Sequence, residues 1–189
     1  FYSRYRFGVT GTVERKDGKH YVIKKVFGPI VAKTHVEAMV PKVVVRETGF
    51  KARSVPQHFT YACQALARNE ARNKLIVDTI IRDLRRGHYV VVPLMFKKHM
   101  IDLCNQVNIA YGREVAKVFM GGGTKRNKEA RRQILSDAKS GKVKCTIGTR
   151  RLLQRGLNVP KWSVIYEVMP INNKPNLKQE TSRVRTPYE

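Results

Sequence analysis

Several residue clusters in this sequence have the types and spacing to hold a polyanion. Gly121-Gly122-Gly123-Thr124-Lys125-Arg126 joins glycines to a basic segment. Backbone without side chains can approach a phosphate closely, and amides at a helix start point towards it. The plain alternative is a tight turn. Thr149-Arg150-Arg151 leads through Arg155-Gly156-Leu157-Asn158-Val159-Pro160. The Thr149 hydroxyl and the guanidinium of Arg150 or Arg151 are suited to backbone phosphates, while the turn from Gly156 to Pro160 presents Asn158. A short helix capped by Thr149 with a basic face explains the same residues. Lys97 and Lys98 open a segment after an apolar run, where ammonium groups and free amides face a phosphate or only solvent. Near the end, Gln179, Arg183 and Arg185 share a basic stretch that alone reads as a surface helix. The pattern G-x-x-x-x-G-K-[ST], a phosphate loop for a nucleoside triphosphate, cannot be written through any stretch.

These clusters need elements to position them. Tyr5–Thr12 reads as a strand, Tyr21–Phe27 as a helix stopped by Gly28-Pro29, and Pro41–Thr48 as a β-branched strand. Residues 51–56 read as a linker, and Gln57–Arg86 as one helix or two. A regular alternation follows. Strands are expected at Tyr89–Leu94, Val115–Met120, Lys142–Ile147 and Ser163–Met169. Helices are expected at Lys97–Val107, Thr124–Ser140, Arg150–Arg155 and Asn176–Val184, the second burying Ala130, Ile134, Leu135 and Ala138. Such alternation argues for an α/β fold, a doubly wound parallel sheet with helices on both faces. The strands are nearly continuous apolar runs, which suits a sheet covered on both sides. Ligands of these sheets sit at the carboxyl ends of the strands, so the clusters after Leu94, Met120, Ile147 and Met169 would share one edge.

Composition narrows the ligand. Lys and Arg number 38 against 14 Asp and Glu, a formal net charge of +24 over 189 residues. That excess draws polyanions, nucleic acid above all. Hydrophobic residues at 42% provide for a sizeable core. Cys63, Cys104 and Cys145 form no C-x-x-C pair, which argues against a zinc site or a disulfide framework and fits a reducing, intracellular setting. No apolar run approaches the ~20 residues of a membrane span. A chain that opens on Phe1 reads as part of something longer.

The order of the clusters resembles the second RecA-like lobe of superfamily 2 helicases and translocases. Val90–Phe96 resembles motif IV, Cys145–Pro160 motif V, and Gln179–Arg185 motif VI, whose family form is Gln-x-x-Gly-Arg-x-x-Arg. Val9-Thr10-Gly11-Thr12 with Glu14–Gly18 resembles motif III of the first lobe in the XPB- and UvsW-like branch. The resemblance implies residues 1–50 as the tail of a first RecA-like lobe, 51–72 as linker and start of the second, and 73–189 as the second lobe. It departs from the family at Asn158, where Asp is usual, at Ser182 in place of Gly, and at Thr186, which leaves Arg185 one residue early.

The resemblance implies an ATP-dependent motor, with Mg²⁺ held mainly by the first lobe. Arg183 would be the arginine finger, with Arg185 in the second motif VI role. Gly156, Asn158 and Gln179 would line the nucleotide cleft. Lys97, Gly121, Gly122, Thr149 and Arg150 would track nucleic-acid phosphates, DNA being favoured over RNA by the branch. Thr10 and Thr12 would couple nucleotide state to grip. An ATP-independent nucleic-acid-binding module and an inactive helicase-like scaffold are the competing readings, and the charge alone suits them equally.

Overall fold

The computed structural model describes residues 4–10, 18–33, 40–51, 58–153, 157–171, 177, 181 and 184. An amphipathic helix, α1 (His20–Phe27), forms in the first part and buries none of its residues. The expected strands here do not form over the described residues: 4–10 and 41–48 carry no ladder. Val9 is fully exposed, and Val43 and Val45 are 78% and 88% exposed. A β-branched run becomes a strand only when a partner takes its backbone groups, and these segments have none among the described residues.

From residue 59 the chain packs. α2 (Phe59–Arg68) and α3 (Glu70–Arg85) are separate helices. Asn69 divides them: its backbone is extended, and its Oδ1 accepts from the Arg72 amide at 2.8 Å. One residue thus ends one helix and caps the next. Then follow β1 (Val90–Leu94), α4 (Lys97–Tyr111), β2 (Ala116–Phe119), α5 (Lys125–Ser140), β3 (Cys145–Thr149), α6 (Arg150–Leu153) and β4 (Val164–Ile165). The strands form one all-parallel sheet in the order β2-β3-β1-β4. This is the expected α/β architecture, a RecA-like parallel sheet with helices on both faces.

Strand periodicity sorts the core into two layers. Val90, Val92 and Leu94, with Cys145 and Ile147, face α2, α3 and α4, where Cys63, Ile76, Ile80, Met100, Leu103 and Val107 meet them. Val91 faces the other layer, with Phe119, Ala138, Val143, Leu153, Val159 and Trp162. Right-handed crossovers require this division. The chain moves from β1 past β3 to β2 through α4, then back through α5 and α6, so α4 lies on one face and α5 and α6 on the other. On α5, Ile134 and Leu135 are half-buried and Ala138 is buried as expected, but Ala130 is exposed, because the helix touches the sheet only through its second half.

The edges of the sheet are finished by side chains. Asn108 of α4 reaches edge strand β2: its Oδ1 accepts from the Val115 and Ala116 amides at 2.9 and 2.8 Å, and its Nδ2 donates to the Ala116 carbonyl at 3.1 Å. An edge strand otherwise leaves such groups unpaired. At the opposite edge β4 is short. Arg72 of α3, itself buried, donates to the Val168 carbonyl just beyond it.

Candidate nucleic-acid interface

The direction of the crossovers reverses between β3 and β1, and a crevice outside the strand ends forms at such a switch point. Leu94 and Thr149 are register partners there. The crevice is therefore bounded by Met95–Lys97 after β1 and by Thr149–Arg150 after β3. Lys97 is the first residue of α4 and is exposed; its preceding residue, Phe96, supplies no side-chain cap. Free amides and a cation thus face solvent together, as an anion site requires. Thr149 is half-buried and stands directly before α6.

The glycine loop lies beside this crevice. A Cβ at Gly121 would stand 3.7 Å from Leu152 of α6, so the two segments are neighbours. Gly122 is boxed in by the Asn127 side chain, and a methyl there would collide with it. Thr124 caps α5 by accepting from the Asn127 amide at 3.2 Å. The loop carbonyls are tied down from the same helix: Arg131 donates to Gly122 O at 3.0 Å and to Met120 O at 3.4 Å. With its carbonyls held by a cation, the loop can turn amides outwards, the polarity an anion needs.

Arg150 points elsewhere. Its Nη2 lies 3.0 Å from Glu167 Oε2 and 3.3 Å from the Met169 carbonyl, and its Nη1 is 3.4 Å from the Pro170 carbonyl. The pair is mostly enclosed, with side chains 17% and 22% exposed. A guanidinium so engaged ties α6 to the segment after β4 and has little freedom to follow a phosphate. Asn158 is exposed between half-buried Leu157 and buried Val159. Thr10 is exposed. Gly156, Gln179, Arg183, Arg185 and Thr12 lie outside the described residues, as does most of the expected helix over 176–184. Val184 is described, and it packs against the layer beneath α5 and α6.

Sequence reasoning missed the buried polar group behind the crevice. His99, two residues into α4 from Lys97, is 4% exposed. Its Nε2 lies 3.1 Å from Asn73 Oδ1, and its Nδ1 has no partner among the described residues. Burial, and then the charge of Arg72, push its pKa down to about 4, against a weaker pull from Asp102. It is a neutral packing residue. The alternation of Asn69, Arg72 and Asn73 on the facing helix was the available signal. The cysteines are equally inert: burial raises Cys104 to about 11 and raises Cys63 and Cys145 as well, so none is a thiolate at neutral pH. Among the described residues no group of three or more His, Cys, Asp or Glu converges on a point. The donors at this edge are amides, ammonium groups and a hydroxyl, a set that fits phosphate oxygens and does not fit a Mg²⁺ ion. No helix of the described residues is long and apolar enough to cross a membrane.

No family profile matches the chain, and no curated protein matches it in sequence. Solved structures do match. The Pyrococcus furiosus Hef helicase domain superposes with a TM-score of 0.50 at 18% identity, over 67% of this chain and 26% of that one. S. cerevisiae Dbp5 bound to RNA and ADP BeF3 gives 0.47 at 18% identity, over 61% and 29%. Mycobacterium smegmatis Lhr bound to ssDNA and AMP-PNP gives 0.40 at 20% identity, over 53% and 14%. The chain spans about a quarter of the length of the Hef helicase domain. At 18% identity the likeness to the Hef helicase domain is one of fold.

Proposed function

We propose that the chain is part of an ATP-dependent nucleic-acid helicase or translocase of superfamily 2, in the XPB- and UvsW-like branch. Residues 1–50 are the tail of a first RecA-like lobe, 51–72 the linker and start of the second, and 73–189 the rest of it. The observation that carries this reading is the convergence at one sheet edge. Lys97, the Gly121–Gly123 loop and Thr149 come to one carboxyl edge in the sequence order of the helicase motifs. The exposed apolar residues Val9, Val43, Val44 and Val45, which find no ladder partner among the described residues, support the division.

In this reading the second lobe closes on ATP held by the first, whose residues supply the phosphate loop and the ligands of Mg²⁺. Arg183 stabilises the charge that develops on the transferred γ-phosphoryl group, with Arg185 beside it. Val184, between them in sequence, packs against the layer beneath α5 and α6. Gly156, Asn158 and Gln179 line the nucleotide side. Lys97, Gly121, Gly122 and Thr149 hold backbone phosphates, so binding tolerates sequence and weakens with salt. Arg150 acts with them indirectly, by fixing α6. Thr10 and Thr12 couple nucleotide state to grip. DNA, duplex or branched, is the favoured track.

The test is ATP hydrolysis by the complete two-lobed protein with no nucleic acid, single-stranded DNA, branched duplex DNA and RNA, with the 189-residue chain as control. The expected result is strong stimulation by DNA, an inert chain, and a loss of about a thousandfold in turnover for Arg183→Ala with nucleic-acid affinity retained. Undiminished hydrolysis in Arg183→Ala overturns the site assignment. No hydrolysis under any condition, with tight salt-sensitive binding intact, favours the ATP-independent binding module.

A further inference from the structure

A second concentration of positive charge lies at the opposite edge of the sheet. α3 ends there, with Arg82 and Arg85 in its last turn and Arg86 immediately after. These arginines line a groove of about 460 Å³ with Asp78, Ile81 and Ala110, the last from the end of α4. The loops that open the strands add to the same edge: Arg113 before β2 and Lys142 before β3 are both exposed. Of the acids nearby, exposed Asp78 lines the groove itself, while three others are engaged. Asp83 accepts from the Tyr166 hydroxyl at 2.5 Å and lies 4.0 Å from Arg82. Glu114 is 2.5 Å from Lys117, and Asp137 accepts from Gln133 at 3.0 Å.

One cation at a helix C-terminus complements the helix dipole. Three arginines on one helix end, with Arg113 and Lys142 from the neighbouring loops, exceed that need, and Asp78 and Asp83 offset only part of their charge, which leaves a net attraction for a polyanion. Spacing at i, i+3 and i+4 brings Arg82, Arg85 and Arg86 to one face with Cβ atoms roughly 5–6 Å apart. Each guanidinium is a planar fork matched to phosphate oxygens. The groove offers only Ile81 and Ala110 as apolar lining, too little to anchor an amphipathic peptide. A five-residue strand such as β1 separates this edge from the crevice by roughly 15 Å, so the surface takes a separate stretch of polyanion.

We propose that the groove formed by Arg82, Arg85 and Arg86 is a second nucleic-acid-binding surface, which holds the phosphate backbone of a duplex without reading its sequence and without nucleotide. It does not rest on the ATP-coupled reading, and it adds to that reading a place for a second arm of a branched substrate.

The test is fluorescence anisotropy of a short labelled DNA duplex with the 189-residue chain over a salt series, no nucleotide present. R82E/R85E/R86E is compared with K24E/K25E/K33E, which changes the net charge equally on a different segment. The expected result is a loss of affinity of about tenfold or more for the arginine variant, with a salt slope flatter by about 2.7, three phosphate contacts' worth. The lysine variant should keep its slope. Equal losses and equal slopes in the two variants overturn the proposal in favour of diffuse charge, and unchanged duplex binding in the arginine variant overturns it outright. If circular dichroism shows the triple variant unfolded, R85Q/R86Q, at two exposed positions, answers the same question through a slope flatter by about 1.8. Because nucleotide is absent throughout, an inactive ATPase leaves this result readable.

Discussion

His99 should make the stability of this fold sensitive to mild acid. The ring is buried between α3 and α4, with Nε2 on Asn73 and Nδ1 unpartnered among the described residues. The charged groups that act on it are Arg72, which disfavours a proton, and Asp102, an exposed carboxylate one turn along, which favours one. Burial and then Arg72 outweigh Asp102 and set the pKa at about 4, below the ordinary 6.5. The sign follows from proton counting. Between those values the unfolded chain binds the proton and the folded one does not, so stability is fully present above pH 6.5 and falls as pH drops towards 4. From about pH 7 to about pH 4.5 the loss is on the order of 2.5 kcal/mol. Urea denaturation at several pH values measures it, with His99→Gln as the comparison. The glutamine can keep a bond to Asn73 but cannot titrate. Its stability should be lower at neutral pH and flatter across the acid range. Equal acid sensitivity in the two proteins would refute the assignment of the effect to this ring.

Gly148→Ala should destabilise the fold by about 1–3 kcal/mol, because the new Cβ would stand 2.7 Å from the Phe119 carbonyl of the paired strand; thermal melting checks it. Thr146→Val should be neutral or stabilising by up to about 1 kcal/mol, since Thr146 is fully buried and its hydroxyl has no partner among the described residues; a lower melting temperature would reveal an unseen partner. Arg150→Glu should loosen the segment after β4, and the double variant with Glu167→Arg should recover at least half of the lost stability in a double-mutant cycle. Recovery of stability without recovery of nucleic-acid affinity would return Arg150 to the list of direct phosphate contacts.

The parts of the sequence that were legible are those where a local pattern and its partner coincide. Val90–Leu94 is apolar at every position because both faces of β1 are covered, and that shows in the residues themselves. The same run of valines at 43–45 carries the same signal and forms no strand, because strand formation depends on a neighbour that periodicity cannot name. The break at Asn69 was legible in principle, since Asn followed by Glu is a cap pattern. It was masked by helical spacing that continues through it. The candidate site divides in the same way. Lys97, Gly121, Gly122 and Thr149 could be placed at one edge from strand order alone, as topology fixes which ends share an edge. Arg150 could not. Its position in the motif points to phosphate, but its direction is set by Glu167, seventeen residues away on the far side of β4. A cation beside a ligand crevice is free to bind only if no nearer carboxylate claims it. In this chain basic residues far outnumber acidic ones, so most cations are left for a polyanion. The few acids therefore decide which cations become structural. Glu167 thus makes Arg150 a clamp, whereas half-exposed Arg82, 4.0 Å from Asp83, and exposed Arg85, Arg86 and Lys97 stay open to a polyanion.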